Sequence, residues 1–411
     1  MLDRRAFLLA GAAALGCGPS QPDEPAGAPE SGASGDLVES IAVETIWDGP
    51  KIGKSWFHPR ACRTPDGLFM NVQTIYGSDG FGPVHWSTST DAGRTWSEPE
   101  PVPGLGRKLH DDGVEEGVCD TVPTYHPQTR TILSMGWNVY YKDNVLTRPN
   151  EQRWPVYVVR RADGTFSTPQ KLPWDDPEAA RIYGSNCSQR VTLPNGDLII
   201  PLTFANYERE DRLVATVRAT FDGESLAIQE RGNTQSLAVK RGLVEPSVVR
   251  WGDAYWMTIR AEDGHGYVTR SDDGLQWEEK RPWTWTDGEP LEMSTTQQHW
   301  LDHSDALYLV YTRKDPSNLN VVRWRAPLWM ARFDPDARAL VRESERIVVP
   351  MSSDGVNDAA HTARLGNFHV AHASPQESLV TVGESIPDFA YEGRALQARI
   401  RWNRPNKLAD V

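Results

Sequence analysis

From residue 37 onward the chain alternates short apolar or β-branched runs with Gly, Asp, Asn and Pro turns. The clearest stretch is Val244–Trp277. It opens as V-E-P-S-V-V-R, turns at Trp251-Gly252-Asp253, and returns as A-Y-W-M-T-I-R. It turns again through Glu262-Asp263-Gly264, runs as G-Y-V-T-R, and closes on Arg270–Trp277. Runs of this length bounded by turn residues predict an antiparallel meander. A four-stranded meander is the unit of a β-propeller blade.

Five other stretches share the plan of a polar strand start, a tight turn and an apolar return. They start at His58–Arg63, Val118–Thr121, Ser185–Arg190, Thr296–His299 and Ala360–Arg364. Successive starts lie roughly 50 to 70 residues apart, the length of one blade. The expected fold is therefore all-β, a six-bladed β-propeller of four-stranded antiparallel blades spanning residues 37–411. The segment Val38–Trp47 is strand-like and is expected to pair beside Arg394–Trp402, closing the ring and removing an open sheet edge. The innermost strands carry Arg60, Asp120, Asn186, Gln189, Glu245, Gln298 and His361. Packed dry and unpaired, such groups would cost several kcal/mol each. They are expected to converge on a wet mouth at one end of the axis. The alternative is a hydrogen-bonded network that seals the channel.

Composition adds limits. The net charge of −13 and the lack of a basic run argue against a nucleic-acid partner, whose phosphates need neutralising. Recognition of an acidic ligand would have to come from local arginines. Sixteen Trp suit both packing and sugar stacking, so the count alone does not choose. The first residues read as a targeting segment. Asp3-Arg4-Arg5-Ala6-Phe7-Leu8-Leu9 resembles a twin-arginine export motif, and the apolar run Ala6–Leu15 is too short to span a bilayer. Ala14-Leu15-Gly16-Cys17 resembles a bacterial lipobox, with Cys17 as the lipidated residue. Residues 1–17 are thus expected to be a lipoprotein signal and 18–36 a flexible tether. The protein is expected to be exported, monomeric and held to a membrane by its lipid alone. Cys62, Cys119 and Cys187 show no metal-ligand spacing, and no cofactor or metal is expected.

Two turns point to a family. Ser89–Trp96 fits S-x-D-x-G-x-T-W, and Arg270–Trp277 fits the same frame with Arg in the Ser position and Asp272 in the Asp position. Arg161–Phe166 is a degenerate copy. In such a turn the Asp accepts backbone N–H bonds, the Gly takes positive φ and the Trp packs between sheets. Asp91 and Asp272 are accordingly read as structural. These are Asp-boxes, and over nearly all of residues 37–411 the chain resembles the sialidase superfamily.

That resemblance implies a site. Arg60, Arg260 and Arg325 would be the arginines that clamp a substrate carboxylate, with Arg323 as a rival to Arg325. Asp79 would be the acid/base and Glu245 would activate the nucleophile. Sialidases attack with a tyrosine, an exception among glycosidases. Here Phe368 stands near that place, and a phenyl ring has no oxygen to attack with. His361 is the polar substitute on the sixth inner strand. Asn186, Gln189 and Gln298 would add contacts to the sugar. The expected activity is hydrolysis of a terminal acidic sugar, sialic acid first, from a glycan. Two alternatives remain open at this point. One is a uronate-directed polysaccharide lyase, or a rhamnosidase- or glucuronidase-type enzyme, on the same propeller, suggested by His126, His361 and Tyr183. The other is a propeller that binds glycans without turnover.

Overall fold

Each polar-headed repeat forms one antiparallel sheet. The computed structural model describes residues 36–77, 79–147, 152–358, 361–386 and 393–409. The signal, Cys17 and nearly all of the tether lie outside the described residues. Six sheets follow one another along the chain, five built on a path of four antiparallel strands and the second on a path of five, and three of them carry one further paired strand off that path. We number them blades I to VI. Their inner strands are Trp56–Thr64, Glu115–His126, Ile182–Gly184, Val244–Trp251, His299–His303 and Arg364–Ser374. The expected six-bladed β-propeller is what forms.

Blade VI draws strands from both ends of the described chain. Val38–Asp48 pairs with Gly393–Trp402 in antiparallel register, Ile41 opposite Ile400 and Val43 opposite Ala398. Arg399 ties the seam by bridging Glu44 at 3.3 Å and Glu377 at 3.1 Å. The predicted strand thus takes the edge that would otherwise stay open.

The apolar returns of the strands supply the core, which runs in seams between neighbouring blades. Between blades IV and V, Trp256, Trp283, Trp300 and Phe333 meet edge to face at 4.8–5.7 Å. Aromatic edges set against faces favour this geometry beyond the area they bury. Much of the tryptophan content is therefore packing.

The Asp-boxes hold the outer turns. Asp91 accepts the Thr95 N–H at 2.9 Å and the Ser89 hydroxyl at 2.8 Å. Asp163 does the same for Thr165 in the degenerate copy. In the blade IV turn the register differs from the expected one. Ser271 takes the serine place and Asp273 accepts from Leu275 N at 2.8 Å and Gln276 N at 2.7 Å. Asp272 points outward and pairs with Arg270 at 2.6 Å. This box is one residue shorter between its Asp and Trp than the first, which is why aligning it from its Trp misplaced both Asp272 and Arg270.

Candidate active site

Three inner strands break their pleat near the axis, and the chain just past the blade III inner strand takes up a like conformation. His58, Asp120, Cys187 and Glu245 all have positive φ, at 51°, 57°, 59° and 49°. In blades I, II and IV the strand register slips there, between Phe57 and Arg60, Cys119 and Val122, and Val244 and Ser247. These are β-bulges, which insert a residue and re-aim side chains. A non-glycine residue held there costs on the order of 1–3 kcal/mol. In His58-Pro59 and Glu245-Pro246 the proline lacks an N–H, so the break in the ladder loses no donor at that residue.

The bulges open onto a cavity of about 490 Å³ at the axis. His58, Asp120, Asn186 and Glu245 line it, together with Asp79, Arg260, Arg323 and Arg325. Glu245 accepts from Arg260 Nη1 at 2.8 Å, both side chains being buried. Arg260 ends the strand beside Glu245, opposite Val244, so the pair is set by strand register. Arg260 Nη2 lies 3.5 Å from a Glu262 carboxylate oxygen, while Arg260 Nε and Arg325 Nε are buried without a hydrogen-bond partner. Burial pushes the Arg325 guanidinium down to about 10, and the charges of Arg260 and Arg323 add to this. Unpaired buried N–H groups of this kind are costly unless a ligand satisfies them. Asp79 sits exposed at the tip of the blade I hairpin with φ 56°.

Asp120 is the cavity's fixed negative charge. Burial raises its carboxyl, but Arg60, His58 and hydrogen bonds from Cys187 and Asn367 outweigh this and hold it at about 2. Arg60 Nη2 donates to it at 2.7 Å. His58, with Nδ1 3.6 Å from Asp120, is pushed down to about 3 by burial and by Arg60, so it is neutral at physiological pH.

The structure brings Asp79, Glu245, Arg260, Arg325 and Asn186 together and separates the others. Arg60 is fully buried behind Asp120 and does not line the cavity. The bulge at His58-Pro59 puts His58 at the mouth in its stead. Gln189 is spent inside the channel on Trp300, its Oε1 accepting at 2.6 Å and its Nε2 donating at 2.8 Å. Gln298 accepts from the Thr258 hydroxyl at 2.5 Å and is likewise internal. These three belong to the sealing network that was the alternative reading. His361 is exposed, pairs with Asp358 at 2.8 Å and does not line the cavity. Phe368 is buried in the core between blades V and VI, while Leu365, Gly366 and Asn367 face the cavity. The residues that suggested a lyase are scattered too. His126 binds Thr129 and the Gly196 carbonyl, and the Tyr183 hydroxyl donates to the Leu172 carbonyl.

Sequence reasoning missed His58 and several lining arginines. The one available signal was that H-P and E-P recur at the same point of the repeat. Tyr141 is the tyrosine in the lining among the described residues. Burial pushes its phenol up, away from the phenolate form. No group of three or more metal-ligating side chains is present among the described residues.

The same architecture recurs in solved structures. The chain superposes on Trypanosoma rangeli sialidase in complex with sialic acid with a TM-score of 0.60, at 15% identity, over 84% of this chain and 54% of that one. The fold is that of the sialidase propeller. A Hadza microbial sialidase matches with a TM-score of 0.58, at 15% identity, over 87% of this chain and 66% of that one. A Dyadobacter fermentans protein of unknown function matches with a TM-score of 0.61, at 14% identity, over 89% of this chain and all of that one. This sialidase-like propeller thus spans about half the length of the trypanosomal enzyme. Identity this low carries the fold and no activity. No family model matches the chain, and no curated protein matches it in sequence.

Proposed function

We propose that the protein is a glycoside hydrolase of the sialidase type, acting on a glycan that ends in a carboxylated sugar, with sialic acid the first candidate. The observation that carries this is the buried Glu245–Arg260 pair beside Arg325, with all three residues lining one axial cavity. Two converging guanidiniums suit a carboxylate, because each offers a planar fork of donors. Asp79, on the hairpin at the rim, is the proton donor to the departing glycosidic oxygen. Glu245 takes a proton from the attacking water as its oxygen bonds to the anomeric carbon. The glycosidic bond breaks, and its oxygen leaves with the Asp79 proton. Water serves as nucleophile in this scheme because Phe368 is apolar and core-packed, and the phenol of Tyr141 is hard to ionise. The solved sialidases that share the fold support the reaction class. The sequence reading further supports export and lipidation at Cys17, with the propeller held at a membrane surface.

The test is release of fluorophore from a fluorogenic sialoside by the pure full-length protein. Turnover should fall steeply in Glu245→Gln, with a melting curve confirming that the variant folds. Saturable binding of the sugar without turnover would instead make this a glycan-binding propeller.

A further inference from the structure

The carboxylate clamp uses only part of the cavity's positive charge. Eight arginines line it, against four carboxylates, in a chain whose net charge is −13. Arg260, Arg323, Arg325 and Arg364 come from blades IV to VI. The others, Arg153, Arg181, Arg212 and Arg241, come from the opposite arc, between blades II and IV.

The backbone assembles this second group in pairs. Arg153 and Arg181 meet where blade II abuts blade III. The Arg153 N–H donates to the Arg181 carbonyl at 3.1 Å, and Tyr183 N donates to the Arg153 carbonyl at 3.0 Å. Arg212 and Arg241 meet where blade III abuts blade IV. There the Arg212 N–H donates to the Arg241 carbonyl at 2.9 Å, and Leu243 N donates back to the Arg212 carbonyl at 3.0 Å. Both are parallel bridges between blades, Arg153 opposite Ile182 and Arg212 opposite Gly242, so each arginine backbone lies one residue from the register of the other.

Their charges are poorly compensated. Arg241 pairs with Glu262. Among the described residues, Arg153, Arg181 and Arg212 have no carboxylate within 4.0 Å. Arg153 is buried, with its guanidinium 5.0 Å from the centroid of the Trp137 ring, a face that holds the plane of the fork. Burial lowers Arg212 to about 10, and Arg241, Arg153 and Arg181 push in the same direction against the smaller pull of Glu245. Like charges kept close in a concave, partly desolvated site focus the field on whatever enters. They destabilise the free protein and become favourable when an anion lies among them.

We propose that Arg153, Arg181 and Arg212, with Arg241 at the rim, form a second anion-binding subsite, so that the preferred substrate is a glycan bearing two anionic groups. One is the carboxylate held by Arg260 and Arg325, and this part rests on the function proposed above. The other is a carboxylate or sulfate on the neighbouring sugar. A cavity of about 490 Å³ has room for a disaccharide-sized ligand.

Calorimetric titration of the full-length protein tests this with four probes. These are free sialic acid, a thio-linked disialoside that resists hydrolysis, and a uronic acid disaccharide with and without an O-sulfate. At least one dianionic probe should bind about tenfold or more tightly than its monoanionic counterpart, the gain expected of an added charge-assisted contact. That affinity should fall faster with salt. In Arg212→Gln and in the half-buried Arg181→Gln, the advantage should shrink to about twofold, while monoanion binding changes by less than about twofold. Whether the disialoside or the sulfated probe gains identifies the second group. Equal binding of monoanions and dianions, no binding of any dianion, or equal weakening of both in the arginine variants would overturn the proposal. Dianion binding without turnover would keep this subsite and remove the hydrolase. Turnover of a monoanionic sialoside without dianion preference would do the reverse.

Discussion

At the residue scale, function turns on which side chains a bulge aims at the axis. Arg60 is two residues from His58, and the sequence places both on the first inner strand. Facing alternates along a strand, so an inserted residue reverses which side chain points where. The bulge at φ 51° for His58 is invisible to a periodicity argument, and so Arg60 was expected at the mouth and lies behind it. Glu245 and Arg260 were legible because their pairing follows from adjacent antiparallel strands. Two outcomes follow for the hydrolase. Glu245→Gln should lower kcat/KM by about 10²–10⁴, the usual worth of a positioned general base. It should also cost stability, because Arg260 is left without its buried partner. Asp79→Asn should lower kcat/KM by a comparable factor on a natural glycan with a poor leaving group. The loss should be far smaller on an aryl sialoside whose leaving group needs no proton. Equal losses on both substrates would assign Asp79 to binding and not to proton transfer.

At the element scale, the blades were readable because each repeats the same polar start, turn and apolar return. The predicted pairing of the first and last strands came from a strand-like segment and a ring that needs its ends joined, and the structure sets its register with Ile41 opposite Ile400. The turns were readable in kind but not always in register. Ser89-Thr90-Asp91 keeps the full spacing, whereas Ser271-Asp272-Asp273 is short by one residue before its Trp. Adjacent aspartates then have opposite fates, and mutation separates them. Asp273→Ala removes the acceptor of two backbone N–H groups and the Ser271 hydroxyl. It should cost about 1–2 kcal/mol, as loss of a comparable capping oxygen does. Asp272→Ala removes only an exposed pair with Arg270 and should change stability by less than about 0.5 kcal/mol. Chemical denaturation of the two variants checks both figures, and a larger loss for Asp272 would restore the longer frame.

At the scale of the whole molecule, the closed ring forces polar groups into an axis that is dry below the mouth. His299 and His369 are buried there with their rings 5.1 Å apart, and His58 is buried in the cavity wall above them. Arg60, displaced from the clamp, is the central charge they share. Burial first, and Arg60 with it, pushes His58 and His299 down to about 3, and His369 also falls well below its usual value. A histidine held neutral in the fold takes up a proton more readily once unfolded, at about 6.5. Its contribution is therefore intact above that pH and is lost as pH falls toward 3, since the unfolded chain binds the extra proton. At pH 4.5 the penalty is about 2–3 kcal/mol per histidine. His58 and His299 together then approach the whole stability of a typical domain, about 5–15 kcal/mol. Carboxylates held down in the fold, Asp120 among them, withdraw support mainly below about pH 4, so the interval from 6.5 to 4.5 isolates the histidines. Melting temperature should drop steadily across that interval. His299→Gln should flatten the slope, because glutamine has no proton to gain. A melting temperature that stays level from pH 7 to pH 4.5 would mean that water reaches the rings of His299 and His369. The axis would then be an open channel and not the sealed base on which the cavity rests.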